Sequence, residues 1–189
     1  MRHSKVNTLA YAAMLTALAA ALNQVTVFRM PQGGSVTACS MMFIALAGYG
    51  LGPVTGFMAG ISAGLLDLFF GGYVVHPAQL ILDYPLAFAM VGLMGGIFGL
   101  KNFQAGKINL NLQLGFSLGM MARFVCHLIS GAIFFGAYAP EGQNPVVYSA
   151  VYNVTYILPE MLFTLVLLSV PAYRAAVDTV LRPKGARAA

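Results

Sequence analysis

Asp83, Arg123, His127 and Glu160 are four ionisable side chains set within long apolar runs of this chain. Charge at membrane depth costs about 2.5–3.5 kcal/mol per residue on insertion scales, so such positions mark functional sites by default. The residue types point to binding. A carboxylate among tyrosines and phenylalanines suits a flat organic cation. Aromatic faces attract positive charge by about 2 kcal/mol or more when desolvated, and Asp83 supplies the counter-charge. Asn153 offers both a donor and an acceptor, the pattern that reads a heterocycle edge. Arg123 beside Asp83 would hold that carboxylate ionised before a ligand arrives, or would form a structural ion pair with it.

Helical spacing gathers these residues into stripes. Arg123, His127 and Gly131 recur every fourth residue and share one face. Asn153, Tyr156 and Glu160 share a second face, and Gln79, Asp83 and Ala87 a third. Three helices with one polar stripe each predict a cavity that opens outward and closes inward. Plainer readings stand beside this one. A lone His127 is a satisfied core histidine, and Asp67 is interfacial. Glu160, which follows Pro159, can satisfy freed backbone groups. Tyr73, Tyr148, Tyr152 and Tyr156 can form an aromatic belt, the better reading for Tyr152.

The elements that must position these groups follow from composition. Only 8% of the 189 residues are charged, 59% are hydrophobic, and mean hydropathy is +0.80. A crossing helix needs roughly 20 apolar residues, and the long unbroken runs lack the period-two alternation of a barrel. The expectation is an all-α integral membrane protein, a single membrane domain over 1–189 with six transmembrane helices. Their approximate ranges are 7–28, 36–51, 53–70, 79–100, 112–136 and 150–172. Leu51-Gly52-Pro53 reads as a helix stop followed by a helix start. Segments 101–111 and 137–149 read as polar loops.

With six crossings both termini share a side. That side collects Arg2, Lys5, Lys101, Lys107, Arg174, Arg182, Lys184 and Arg187, against Arg29 opposite, which predicts cytoplasmic termini. The net charge of +5 comes from the ends and one loop. A basic stripe with interleaved aromatics is lacking, so nucleic-acid binding is excluded. The apolar stretch from Leu9 to Phe28 is longer than a cleavable signal's core. Cys39 and Cys126 are expected to be buried free thiols, with no metal-ligand spacing.

Ala13, Ala17 and Ala21, and likewise Gly52, Gly56, Gly60 and Gly64, form small-residue stripes that let membrane helices approach closely. Internal packing is the plain reading of each, and docking of another membrane subunit the sharper one. Gly106-Lys107 is followed by Ile108, so no phosphate-binding loop of the GxxxxGK[S/T] type is present. His127 with Ser130 raises an intramembrane enzyme, but no nucleophile elbow accompanies them. A standalone secondary carrier would show internal repeats, and none is evident.

Four motifs carry a resemblance, in order along nearly the whole chain. They are Met30-Pro31-Gln32-Gly33-Gly34-Ser35, the run from His76 to Pro85, the run from Arg123 to Gly131, and Tyr148-Ser149-Ala150-Val151-Tyr152-Asn153. Together they resemble the thiamin-specific substrate-binding subunits (S-components) of energy-coupling factor transporters. The resemblance implies a six-helix, multi-pass subunit of a bacterial cell membrane that captures thiamin from outside. It implies no cofactor and no enzymatic activity. Helix 1, through Ala13, Ala17 and Ala21, would dock on a membrane coupling subunit that carries two ATP-binding-cassette ATPases. Asp83 would face the thiazolium. Tyr84, His127, Tyr148 and Asn153 would contact the ligand, Gly131 would give close backbone approach, and Tyr73 and Phe135 match aromatic positions more loosely. The chain departs from some relatives in having no tryptophan, in Arg123 for a lysine, and in Asp83 for a glutamate. A thiamin phosphate or pyrimidine precursor is the related alternative.

Overall fold

The computed structural model describes residues 5–99, 110–173, 175 and 177. Most of the basic residues behind the orientation argument (Arg2, Lys101, Lys107, Arg174, Arg182, Lys184 and Arg187) lie outside the described residues, as does loop 101–109. Lys5 opens the first helix, α1, Lys5–Asn23.

The helix expected to continue to residue 28 ends at Asn23. Thr26–Arg29 forms strand β1, antiparallel to β2, Ser35–Thr37, with Thr26 opposite Thr37 and Arg29 opposite Ser35. This hairpin corrects the all-α expectation. Its first strand is Thr-Val-Phe-Arg, rich in the β-branched and aromatic types that fit a pleated surface. Its turn needs a positive φ of 94° at Gly33. Hydropathy counted Val25, Val27 and Phe28 as helix because it measures polarity and not local geometry.

Helix α2 spans Ser40–Leu51 and α3 spans Pro53–Phe69. They meet at Gly52, whose φ of 105° turns the chain while its N–H still bonds the Gly48 carbonyl. Helix α4 runs Pro77–Gly99. The His76 ring nitrogen Nδ1 caps its start, accepting from the Ala78 N–H at 3.1 Å. Helix α5 spans Leu110–Phe134, and a 3-10 turn, Gly136–Tyr138, follows. Helix α6, Pro145–Ser169, starts ahead of the expected residue 150 because Asn144 caps it, its side chain accepting from the Val146 N–H.

Among the described residues, α1, α4, α5 and α6 are long and apolar enough to cross a membrane. Helices α2 and α3 are shorter, at 12 and 17 residues. Helix α4 is the central rod, packed against α2, α3 and α5, while α6 lies on α5 and on β2. Met41, Ile44, Phe88, Val91, Phe116 and Met120 fill the core between them.

The two small-residue stripes behave differently. A Cβ on Gly56 would overlap the Gly92 carbonyl of α4, and one on Gly60 would overlap the backbone at Phe88 and Ala89. That stripe is internal packing. Ala13, Ala17 and Ala21 are exposed, while Leu15, Thr16, Ala19, Ala20 and Asn23 turn α1 into the bundle. Internal packing therefore does not explain the alanine stripe.

Candidate binding site

Helix α4 changes winding at Leu82–Leu86, which forms one turn of π-helix. Pro85 sits inside it and has no N–H to give the regular ladder. The wider turn carries Asp83 and Tyr84, in keeping with the tendency of π-bulges to fall at functional sites. The Asp83 carboxylate is held on both oxygens. Gln79 Nε2 donates to Oδ2 at 2.7 Å, and His127 Nδ1 lies 3.0 Å from Oδ1. Gln79 in turn donates to the Tyr73 carbonyl and accepts from the Val75 N–H, which ties the loop before α4 to the same carboxylate. Tyr84 extends this tie, since its hydroxyl accepts from Tyr73 N–H at 2.6 Å and donates to the Tyr73 carbonyl at 3.2 Å.

A single cavity brings together the nine residues assigned to ligand binding, Tyr73, Asp83, Tyr84, Arg123, His127, Gly131, Phe135, Tyr148 and Asn153, whereas Ala87 and Glu160, placed on the same polar stripes, do not line it. Phe88 and Tyr156 add further aromatic walls, and Gln32, Gly33, Gly34 and Ser35 of the hairpin close one side. His127 Nε2 has no hydrogen-bond partner among the described residues, although its other ring nitrogen is fixed by Asp83. Buried polar atoms are normally satisfied, so this nitrogen is available to a ligand. Outside the helices, the Tyr138 hydroxyl lies 3.4 Å from that of Tyr73, and their interaction holds the Tyr73 phenol above the ordinary tyrosine range.

Several expected pairings are corrected. Arg123 pairs with Glu160, Nη1 to Oε2 at 3.5 Å, while His127 and Gln79 are the partners of Asp83. Glu160 is therefore not occupied with backbone groups freed by Pro159. Its Oε1 accepts from Thr37 Oγ1 at 2.7 Å and from Ser40 Oγ at 3.4 Å, fastening β2 to α6. Asn153 is less free to read a heterocycle edge than its chemistry allows. Its amide nitrogen donates to the Ser149 and His127 carbonyls, and its oxygen accepts from the Tyr156 hydroxyl. Gly131 gives close approach to α6 itself, because a Cβ there would overlap Ser149 Oγ.

Tyr152, assigned to a belt, turns inward to the cavity. Its hydroxyl accepts from the backbone N–H groups of Gln32 and Gly34, at 3.1 and 3.3 Å, and so holds the hairpin turn. Asp67 also lines the cavity, with its carboxylate accepting from Asn23 and Gln24 at the end of α1. Sequence reasoning passed over Phe88, Ser149 and Asn23 as wall residues. Ser149 lies four residues before Asn153, a legible helical offset, whereas Phe88 carries no polar signal. Cys39 and Cys126 are buried free thiols, as expected.

A bundle holding four membrane-length helices among the described residues, with a polar, aromatic cavity among them, has the form of a membrane protein that takes up a small molecule in its core. The chain belongs to the family described as Thiamine transporter protein (Thia_YuaJ), which matches residues 9–178. It is 35% identical over 164 residues to Thiamine transporter ThiT of Bacillus subtilis (strain 168), covering 82% of this chain and 85% of that protein. Against Thiamine transporter ThiT of Lacticaseibacillus paracasei (strain ATCC 334) it is 32% identical over 182 residues, covering 89% and 88%. A solved structure of ThiT from Listeria monocytogenes superposes with a TM-score of 0.70, over 96% of this chain and 100% of that one. At 21% identity that likeness shows the fold. The chain is thus a multi-pass protein of the cell membrane, in a family of transporters rather than enzymes.

Proposed function

We propose that this chain is the thiamin-capturing membrane subunit of an energy-coupling factor importer. The observation that carries the reading is the cavity: Asp83, fixed by Gln79 and His127, faces an enclosure walled by Tyr73, Tyr84, Phe88 and Tyr156. A permanently charged, flat thiazolium matches a carboxylate among aromatic faces. His127 Nε2, without a partner among the described residues, offers the aminopyrimidine a hydrogen-bond partner. The relatives named thiamine transporters support the same ligand.

In this reading the chain crosses the membrane six times, α2 and α3 being the short crossings, and both termini are cytoplasmic. The cavity then opens outward. ATP hydrolysis is the task of two ATP-binding-cassette subunits, joined through a membrane coupling subunit that docks on Ala13, Ala17 and Ala21. The exposure of that stripe supports this docking face.

Calorimetric titration of the detergent-purified chain with thiamin, thiamin monophosphate and the isolated pyrimidine tests the proposal. Thiamin should bind with a Kd below about 1 μM, a binding free energy of about −8 kcal/mol or better, without ATP or partner subunits. Tighter binding of the phosphate or the pyrimidine would reassign the ligand. Absence of binding by all three would overturn the reading.

A further inference from the structure

Arg123 poses a problem for any cavity that takes a cation. It lies in the cavity wall, it carries a cationic guanidinium, and like charges repel strongly in a low-dielectric interior. Glu160 lies behind it, fully buried and outside the cavity wall. Its Oε1 is taken by Thr37 and Ser40, which leaves Oε2 turned toward Arg123 Nη1 at 3.5 Å. Neither Oε2 nor Nη1 has a hydrogen-bond partner among the described residues, so their interaction is one of charge across a short gap. The Phe88 ring, 5.3 Å from Arg123 Cζ, flanks the guanidinium from another side.

We propose that Glu160 is a specificity-determining residue that cancels the charge of Arg123 from behind the cavity wall, so that the cavity accepts a cation. The inference rests on the thiamin reading above. With Arg123 balanced, the wall carboxylates Asp83, which shares His127 Nδ1 at 3.0 Å, and Asp67 meet the ligand without an unmasked guanidinium opposing them. With Glu160 neutral, Arg123 offsets one of them and penalises a cation selectively. Thr37 and Ser40 are positioning residues in this scheme, because they fix which carboxylate oxygen meets the arginine. A pair that only held helices together would affect cationic and uncharged ligands alike.

The test is calorimetric titration of the full chain with thiamin and with 3-deazathiamin, its uncharged thiophene isostere. Glu160→Gln should lower thiamin affinity relative to 3-deazathiamin by about tenfold or more, an interaction of the size expected for an unmasked nearby charge. The double variant Arg123→Gln/Glu160→Gln should return that ratio to within about threefold of the wild type, since both charges leave together. Equal losses for both ligands in Glu160→Gln, or no return of the ratio in the double variant, would overturn the proposal. Removing one member of a buried pair can prevent folding. In that event Glu160→Asp decides, because it keeps the carboxylate but draws it back by one methylene: the ratio should fall in the same direction by a smaller factor, and an unchanged ratio would overturn the role. A wild-type chain that bound neither compound would defeat the thiamin reading, and this inference with it. Wild-type binding with one fixed ratio across all variants would defeat the charge-masking role alone.

Discussion

The two halves of α4 face opposite demands. Its second half presents Gly92, Gly95, Gly96 and Gly99, each pressed against backbone of α2 or α3 or the link between them. Its first half carries Gln79, Asp83 and Tyr84 on a helix widened by the Pro85 π-turn. One half is a close-packed base with no room for a side chain, and the other is a wall whose side chains project into a cavity. Small residues bring membrane helices together where lipid gives no hydrophobic drive to do so. The comparison teaches that the base sets whether the bundle forms, while the π-turn sets where the carboxylate points.

The sharpest way to break the comparison is on the base. Gly92→Val would place a side chain on the Gly56 backbone, and overpacking of this kind costs about 3 kcal/mol. The thermal midpoint of the purified chain should fall by many degrees, with folded yield falling too. An unchanged midpoint would mean that α3 and α4 can separate freely.

Next in size is Asp83→Asn in the other half. It should weaken thiamin binding about 100-fold, consistent with loss of a charge-assisted contact, while leaving the thermal midpoint near the wild-type value. The uncharged 3-deazathiamin should lose much less. Equal losses for the two would remove Asp83 as counter-charge.

A smaller effect is expected where the hairpin closes one side of the cavity. Tyr152→Phe removes the hydroxyl that accepts from Gln32 and Gly34, and a net hydrogen bond is worth about 1 kcal/mol. Thiamin release measured by stopped flow should quicken about five- to tenfold. An unchanged rate would show that Tyr156, packed against Gly34, holds the turn by itself.

The smallest effect on the cavity is at the far face of α1. Ala17→Leu should leave thiamin affinity within about twofold, because exposed substitutions seldom matter to a distant site, while abolishing ATP-driven uptake by the assembled transporter. Surviving uptake would exclude this stripe as the docking face.

Much of the cavity wall was legible in the sequence because helical spacing is local. Gln79 with Asp83, Arg123 with His127 and Gly131, and Asn153 with Tyr156 are each set by offsets of three or four residues and line the cavity, while the next residues on two of these stripes, Ala87 and Glu160, fall outside its wall. Pairing between helices was not legible. Whether Arg123 meets Asp83 or Glu160 depends on the relative rotation of α4, α5 and α6, which offsets within one helix do not encode. The β1–β2 hairpin was hidden for another reason: Val25, Val27 and Phe28 extend the apolar run of α1, and hydropathy does not separate strand from helix over a few residues. Tyr152 was misassigned because tyrosine near an interface is common, and only the return of the hairpin across α6 gives its hydroxyl two backbone donors.

A structure of the wild-type chain determined with thiamin bound tests the central claim most directly. The account predicts the ligand inside this cavity, with the thiazolium beside Asp83 and a pyrimidine nitrogen or amine within hydrogen-bond distance of His127 Nε2. Thiamin found elsewhere on the bundle, or lodged here with its cationic ring turned away from Asp83, would contradict it.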